Sequence, residues 1–198
     1  MAKLLFLPGA GASAAFWRPV SARLGLNRRT HFFAWPGLGN EAHDPNVRGI
    51  DDLVAMVVAE LDEPADLIAQ SMGGFVAVRA ALNVPDKVRR LVLTATSAGL
   101  PVAELGGSDW RTDYRRDYPQ AASWITALRE DLSPRLGAID APTLLLWGDA
   151  DPISPPAVGR RLLSLLPRAT LHIIEGADHD LAQTHVAAVA ARIAAHLG

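Results

Sequence analysis

Short apolar runs alternate along this chain with longer amphipathic ones, and that rhythm constrains the fold more than any other feature of the sequence. A four- to six-residue apolar run bounded by turn residues suits a strand buried on both faces. Consecutive parallel strands must be joined by a crossover, usually a helix. The pattern predicts strands at Lys3–Leu7, Thr30–Trp35, Ala65–Ala69, Arg90–Ala95, Thr143–Trp147 and Ala169–Ile174, each closely followed by Gly, Pro, Ser or Asp. Helical spacing fits Ala14–Leu24, Ile50–Leu61, Met72–Leu82, Pro156–Leu166 and Ala182–Leu197. In the second of these, Leu53, Val57, Val58 and Leu61 share one face, and Asp51 stands near the positive end. The fold class is therefore α/β, with about six mostly parallel strands flanked by helices. At 198 residues the chain suits a single domain over 1–198.

One stretch breaks the rhythm. Residues 97–136 separate two strands by far more chain than an ordinary βα connection needs, so they are expected to form an insertion. Trp110, Tyr114, Tyr118, Trp124, Ile125 and Leu128 can pack it, either as a surface excursion with its own small core or as a lid over a pocket lined in part by Trp110 and Trp124. Asp109, Asp113 and Asp117, and Arg111 with Arg115 beside Arg116, fall at helical spacing. They read as a solvated surface, with recruitment of an anionic substrate group as the sharper alternative.

Charge and composition exclude several classes of function. Nineteen basic against twenty-one acidic residues leave a net charge of −2, without the uniform basic field that holds a nucleic-acid backbone. The absence of cysteine removes disulfides, thiolate metal sites and a cysteine nucleophile. His43, His172 and His185 lack the spacing of a metal-binding motif, so neither a metal nor a cofactor is expected. Met1-Ala2-Lys3 with the following Leu4–Leu7 imitates a secretion leader, but Pro8-Gly9 ends the apolar run too early. No run is long enough for a membrane span, and a cytoplasmic protein is expected.

The chemistry concentrates in three places. Ala69-Gln70-Ser71-Met72-Gly73-Gly74 lies between a buried strand and an amphipathic helix, which is the context of a nucleophile elbow. A serine on so sharp a turn needs small neighbours two before and two after it, here Ala69 and Gly73. It also has the Met72 N–H beside it at a helix start, where an oxyanion can be stabilised. The plain alternative is an N-cap serine. The strand Leu144–Trp147 runs into Gly148-Asp149-Ala150-Asp151-Pro152, and Glu175-Gly176-Ala177-Asp178-His179 follows the last strand. Serine, acid and histidine thus appear at the carboxyl ends of expected parallel strands, where open α/β sheets build their sites. Asp149 and Asp151 both qualify as the acid.

On these residues the chain resembles the α/β-hydrolase family over nearly its whole length. The resemblance implies that Ser71, Asp151 and His179 form a catalytic triad, with the carboxylate just before Pro152 favoured over Asp149. It also implies a minimal sheet lacking the family's usual N-terminal hairpin, and a short cap at 97–136. Ser71 would attack a carbonyl with His179 as base and Asp151 orienting the imidazole, giving an acyl intermediate. Two backbone donors would share the oxyanion, Met72 and, from the loop Pro8-Gly9-Ala10-Gly11, Ala10. In the family that loop often begins with histidine, which Pro8 replaces here. Phe16 and Trp17 follow it as pocket-lining or core residues. The expected activity is hydrolysis of a small or medium carboxylic ester, falling on acidification because a protonated imidazole accepts no proton.

Two rival functions come from other classes. A member of the same fold lacking catalysis would act as a ligand receptor, which an intact triad opposes. Gly9-Ala10-Gly11-Ala12-Ser13-Ala14 matches a dinucleotide-binding fingerprint, with Arg28-Arg29 suggesting NADP, but no acidic residue stands about 20 positions on to hold a ribose.

Overall fold

The computed structural model describes residues 2–25 and 27–198. Met1, with which the leader-like segment begins, and Leu26 lie outside them. Among the described residues the strands are β1 (Lys3–Leu7), β2 (Thr30–Phe32), β3 (Ala65–Gln70), β4 (Val88–Thr94), β5 (Thr143–Gly148) and β6 (Ala169–Ile174). The helices are α1 (Arg18–Leu24), α2 (Ile50–Ala59), α3 (Met72–Asn83), α4 (Arg111–Asp117), α5 (Trp124–Ala127), α6 (Pro156–Leu165), α7 (Leu181–Thr184) and α8 (Val186–Leu197). None is long and apolar enough to cross a membrane.

All strand pairs are parallel, in the order β2-β1-β3-β4-β5-β6. From β1 the chain first steps outward to β2, then returns to β3 and continues the other way. The direction of winding therefore switches between β1 and β3, and a crevice opens there at the strands' carboxyl ends. Those two ends are Leu7-Pro8 and Gln70-Ser71.

Both faces of the sheet are apolar and both are covered. Leu4, Phe6, Ile68, Val92, Leu144 and Leu146 meet Val20 of α1 and Val189 and Ile193 of α8. The alternate residues Leu5, Leu7, Leu67, Leu91, Leu145 and Trp147 face Leu53 and Val57 of α2, Phe75 of α3 and Val158 of α6. The 97–136 insertion joins this second cluster through Leu100, Tyr114, Ile125, Leu132 and Leu136, so it does not build a separate small core.

Several boundaries differ from the periodicity. β2 stops at Phe32: its partner β1 ends before Pro8, which has no N–H to offer a ladder. Residues 14–17 form turns, and α1 starts only at Arg18, with Pro19 in its first turn where the missing N–H is harmless. β4 begins two residues early and ends at Thr94, because Ala95 turns into the left-handed region at φ 45°. The expected C-terminal helix is divided at His185, where Thr184 Oγ1 bonds the His185 ring nitrogen at 2.9 Å and the Asp180 carbonyl at 3.4 Å.

The amino-terminal end of the sheet carries a buried charge. Asp66 of β3 is fully buried and accepts two hydrogen bonds from Arg89, at 2.9 and 2.8 Å, and a third from Arg28. Arg28 is itself almost wholly buried and also donates to the Ala2 carbonyl. Removing one partner of such a group leaves an uncompensated buried charge, which costs about 3 to 5 kcal/mol. Asp66→Asn is therefore expected to lower the urea-unfolding free energy by about 3 kcal/mol or more, whereas Asp62→Asn, at an exposed position, is expected to change it little.

Candidate active site

Ser71 stands between β3 and α3 at φ 53° and ψ −123°, a conformation that costs a non-glycine residue roughly 1 to 3 kcal/mol. Its backbone is held on both sides. The Ser71 N–H donates to the Thr94 carbonyl at 3.0 Å, and the Ser71 carbonyl accepts from the Gly74 N–H at 2.9 Å. Close packing makes the turn possible. A Cβ on Gly73 would lie 2.5 Å from the carbonyl oxygens of both Leu7 and Pro8, so α3 rests directly on the end of β1. Ala69, where a glycine is usual in such turns, is completely buried between Leu7 and Leu93 in register, and its methyl group fits the sheet.

The structure brings His179 and Asp151 to this serine. His179 Nε2 lies 3.0 Å from Ser71 Oγ, and His179 Nδ1 lies 2.9 Å from Asp151 Oδ2. With the imidazole proton on Nδ1, the serine hydroxyl donates to Nε2 and Nδ1–H donates to the carboxylate. Asp151 is buried, and its other oxygen accepts from the N–H groups of Ile153 at 2.8 Å and Ser154 at 3.0 Å, so neither oxygen is free to swing away. Asp149 is occupied elsewhere. It is exposed, and its Oδ1 accepts from the Gly176 N–H at 2.7 Å, tying the loop after β5 to the loop after β6. Asp178 accepts from the Asp180 N–H, as a turn residue does. His179 remains partly open to solvent, its side chain 18% exposed.

Sequence reasoning missed Gln70. The residue before the serine is buried, its Nε2 donates to the His179 carbonyl at 3.3 Å, and its Oε1 would lie 2.5 Å from a Cβ on Gly9. It therefore fills the space between the serine turn, the histidine loop and the loop after β1. Only its position beside Ser71 could have singled it out.

The loop Pro8–Gly11 lies against the serine, since a Cβ on Gly9 would come within 3.2 Å of the Ser71 Cβ. Four aromatic side chains pin it and the end of β1 by their carbonyls. Trp17 Nε1 donates to Leu7 at 3.1 Å and Trp35 Nε1 to Pro8 at 2.8 Å, while the hydroxyls of Tyr114 and Tyr118 donate to Ala10 at 3.2 Å and Gly11 at 3.0 Å. The Tyr114 hydroxyl also accepts from the Gly39 N–H, and burial raises its pKa above the ordinary tyrosine value. The Met72 N–H lies in the first turn of α3, where the helix itself provides no acceptor.

Of the four aromatic residues expected around a pocket, Trp17 is buried, whereas Phe16, Trp110 and Trp124 are partly exposed. Trp17 is buried in the core against Phe6, with the half-buried Phe16 edge-on to it. Trp110 stands edge-on to Tyr114 with Arg111 over its ring, and Trp124 has its Nε1 buried without a hydrogen-bond partner. The insertion does hold a cavity of about 300 Å³, but Tyr114, Tyr118, Arg115, Ala121, Ala122 and Thr126 line it, not the two tryptophans. The dinucleotide reading fails on geometry. Its fingerprint requires a helix opening directly from the glycine loop, but α1 begins seven residues after Gly11, and a Cβ on Gly11 would meet the Tyr118 ring at 2.9 Å.

Comparison with known proteins agrees with this architecture. Residues 4–192 match the family described as "Alpha/beta hydrolase family". A pimeloyl-[acyl-carrier protein] methyl ester esterase from Neisseria meningitidis is 30% identical, the match covering 96% of this chain and 90% of that one. One of the same name from Aliivibrio salmonicida is 24% identical, over 89% of this chain and 84% of the relative. Among solved structures, a meta-cleavage product hydrolase from Pseudomonas fluorescens superposes with a TM-score of 0.81 at 18% identity, covering 100% of this chain and 90% of that one. An esterase from Thermogutta terrifontis gives 0.78 at 20%, covering 100% and 89%. A match spanning nearly every element, on a parallel sheet whose switch point carries the serine turn, assigns this chain to the alpha/beta hydrolase family.

Proposed function

We propose that the protein is a serine hydrolase that cleaves a small or medium carboxylic ester through Ser71, His179 and Asp151. The observation that carries this reading is the continuous hydrogen-bond chain from Ser71 Oγ through the imidazole to the buried Asp151 carboxylate. As Ser71 Oγ attacks the ester carbonyl carbon, Nε2 of His179 takes its proton, and Asp151 holds the imidazole in the tautomer that leaves Nε2 free to accept. The negative charge on the former carbonyl oxygen is met by the N–H groups of Met72 and Ala10. His179 then gives its proton to the departing alkoxide, leaving Ser71 acylated. Water attacks the acyl carbon as His179 takes up one of its protons, and return of that proton to Ser71 Oγ frees the acid and restores the enzyme. The 97–136 insertion serves as the cap over this site. A receptor without catalysis would gain nothing from the strained serine, which this mechanism uses.

A finer substrate assignment draws on the relatives' names and on one cluster. Arg111 and Arg129 both donate to the Thr126 carbonyl, at 3.1 and 2.8 Å, and Arg115 approaches the Thr126 hydroxyl at 3.5 Å. Among the described residues the only carboxylate paired with these three is Asp109, on Arg111. Such an excess of positive charge beside the cavity suits an acyl methyl ester carried on an acidic protein.

Three outcomes are expected. Ser71→Ala should lower turnover of short-chain p-nitrophenyl esters by about 10⁶-fold and abolish labelling by a fluorophosphonate. A wild type that neither turns over nor labels would instead favour the receptor reading. Wild-type kcat/KM should fall as pH is lowered, since the base must be neutral to accept the serine proton; a rate that does not fall on acidification contradicts the role of His179. Arg115→Glu combined with Arg129→Glu should reduce kcat/KM for a carrier-protein-linked acyl methyl ester by about tenfold or more at low salt and leave p-nitrophenyl acetate hydrolysis unchanged. Equal loss on both substrates would show a defect in the site and no role in docking.

A further inference from the structure

Among the described residues, three other than glycine adopt positive φ: Ser71, Ala95 and Ala98. The strain at Ser71 belongs to the nucleophile turn. The other two bracket Thr96, a fully buried residue just beyond β4, and strain of this kind persists only where surrounding structure imposes it, most often at functional sites.

Thr96 touches the serine turn directly. Its hydroxyl donates to the Ser71 carbonyl at 2.5 Å and accepts from the Ala98 N–H at 3.0 Å, so its donor direction is fixed. Its side chain fills the place a Cβ on Gly74 would take, within 2.5 to 2.7 Å of three of its atoms. On its other side, the Thr96 carbonyl faces Ser154 Oγ at 3.4 Å, and the Ser154 N–H donates to Asp151. One residue thus connects the serine turn with the loop that carries the acid.

We infer that Thr96 is a positioning residue that sets the aim and donor strength of the Met72 N–H toward the oxyanion. The inference rests on the esterase reading above and deepens it. The Ser71 carbonyl and the Met72 N–H are the two ends of one planar trans peptide, so fixing the carbonyl fixes the direction of the N–H. Two donors hold that carbonyl, the Gly74 N–H from within α3 and the Thr96 hydroxyl from β4's end. The first moves with the helix; the second ties the peptide to the sheet. Drawing electron density toward the carbonyl oxygen also strengthens the N–H as a donor, as hydrogen bonds in series do. The gain is largest when the oxyanion bears full charge, so it acts on the transition state more than on bound substrate.

The test compares Thr96→Val, which keeps the shape and removes the hydroxyl, with Thr96→Ser, which keeps the hydroxyl and removes a methyl. On a p-nitrophenyl ester, Thr96→Val should lose about 10- to 100-fold in kcat with KM nearly unchanged. Thr96→Ser should restore most of it. A trifluoromethyl ketone, which forms an oxyanion on Ser71, should bind Thr96→Val more weakly by the same factor. If the valine variant does not fold, Thr96→Cys, whose thiol is a weak donor, should show a kcat below that of Thr96→Ser together with a native melting curve. Wild-type kcat in Thr96→Val or, failing its folding, in Thr96→Cys overturns the inference alone. So does a loss confined to KM, or one that serine fails to restore. A wild type that neither turns over esters nor reacts with a fluorophosphonate overturns the esterase reading and this inference together.

Discussion

The approach of α3 to the end of β1 governs the geometry of the whole site. Because Gly73 has no side chain, the first turn of α3 rests on the Leu7 and Pro8 carbonyls, with 2.5 Å where a Cβ would stand. A helix beginning at Met72 can come that close only if the preceding residue reverses sharply. The reversal is Ser71, with its left-handed φ and its hydroxyl at the carboxyl edge of the sheet. The same contact brings the loop after β1 against the serine. One missing methyl group therefore sets the serine's strain, its exposure and its distance from the Pro8–Gly11 backbone.

Once these backbones converge, their polar groups must be satisfied, and most of the side chains that do so come from far away in sequence. Trp17, Trp35, Tyr114 and Tyr118 direct their donors at the carbonyls of Leu7, Pro8, Ala10 and Gly11 respectively. The Gly9 carbonyl between them accepts from the Ala12 N–H. Except at Leu7, whose peptide nitrogen is that of Pro8, a carbonyl fixed by a rigid indole or phenol fixes the N–H across the same peptide plane, and the result is a loop whose N–H groups do not wander. Tyr114 and Tyr118 belong to the 97–136 insertion, so the geometry of this loop depends on that segment being folded down on it.

The difference between local and tertiary constraint decides what is legible in the sequence. The β3–Ser71–α3 passage is local: a buried strand, a serine and two glycines in six residues announce it, and Asp151 and His179 each follow an apolar strand. Their order along the chain and the parallel sheet suffice to bring them together, and the geometry of Asp149, bonded to Gly176, separates the two acids that the sequence left open. The aromatic residues were harder. An apolar ring beside a glycine loop reads equally as pocket wall or core, and Trp17 is core because its indole N–H finds the Leu7 carbonyl. Gln70 and Thr96 were invisible for the same reason. Each acts on a backbone carbonyl set by tertiary approach, and no residue spacing records such a contact.

Strain and stability are also divided between the two ends of the sheet. At the carboxyl ends lie Ser71, Ala95 and Ala98 in left-handed conformations, close-packed glycines and a partly solvated histidine. At the amino ends lie the buried Asp66 with Arg28 and Arg89, and Lys3 bonded to Glu60, whose carboxyl is held below its ordinary pKa by that contact. Charges of this kind do not make a sheet more stable than apolar residues would; here Asp66 ties β3 to Arg89 on β4 and to Arg28 in the segment before β2. Arg89 stands at an irregularity in the β3–β4 register, and beyond it the pairing runs unbroken from Asp66–Arg90 to Gln70–Thr94, two residues before the Thr96 hydroxyl that holds the Ser71 carbonyl.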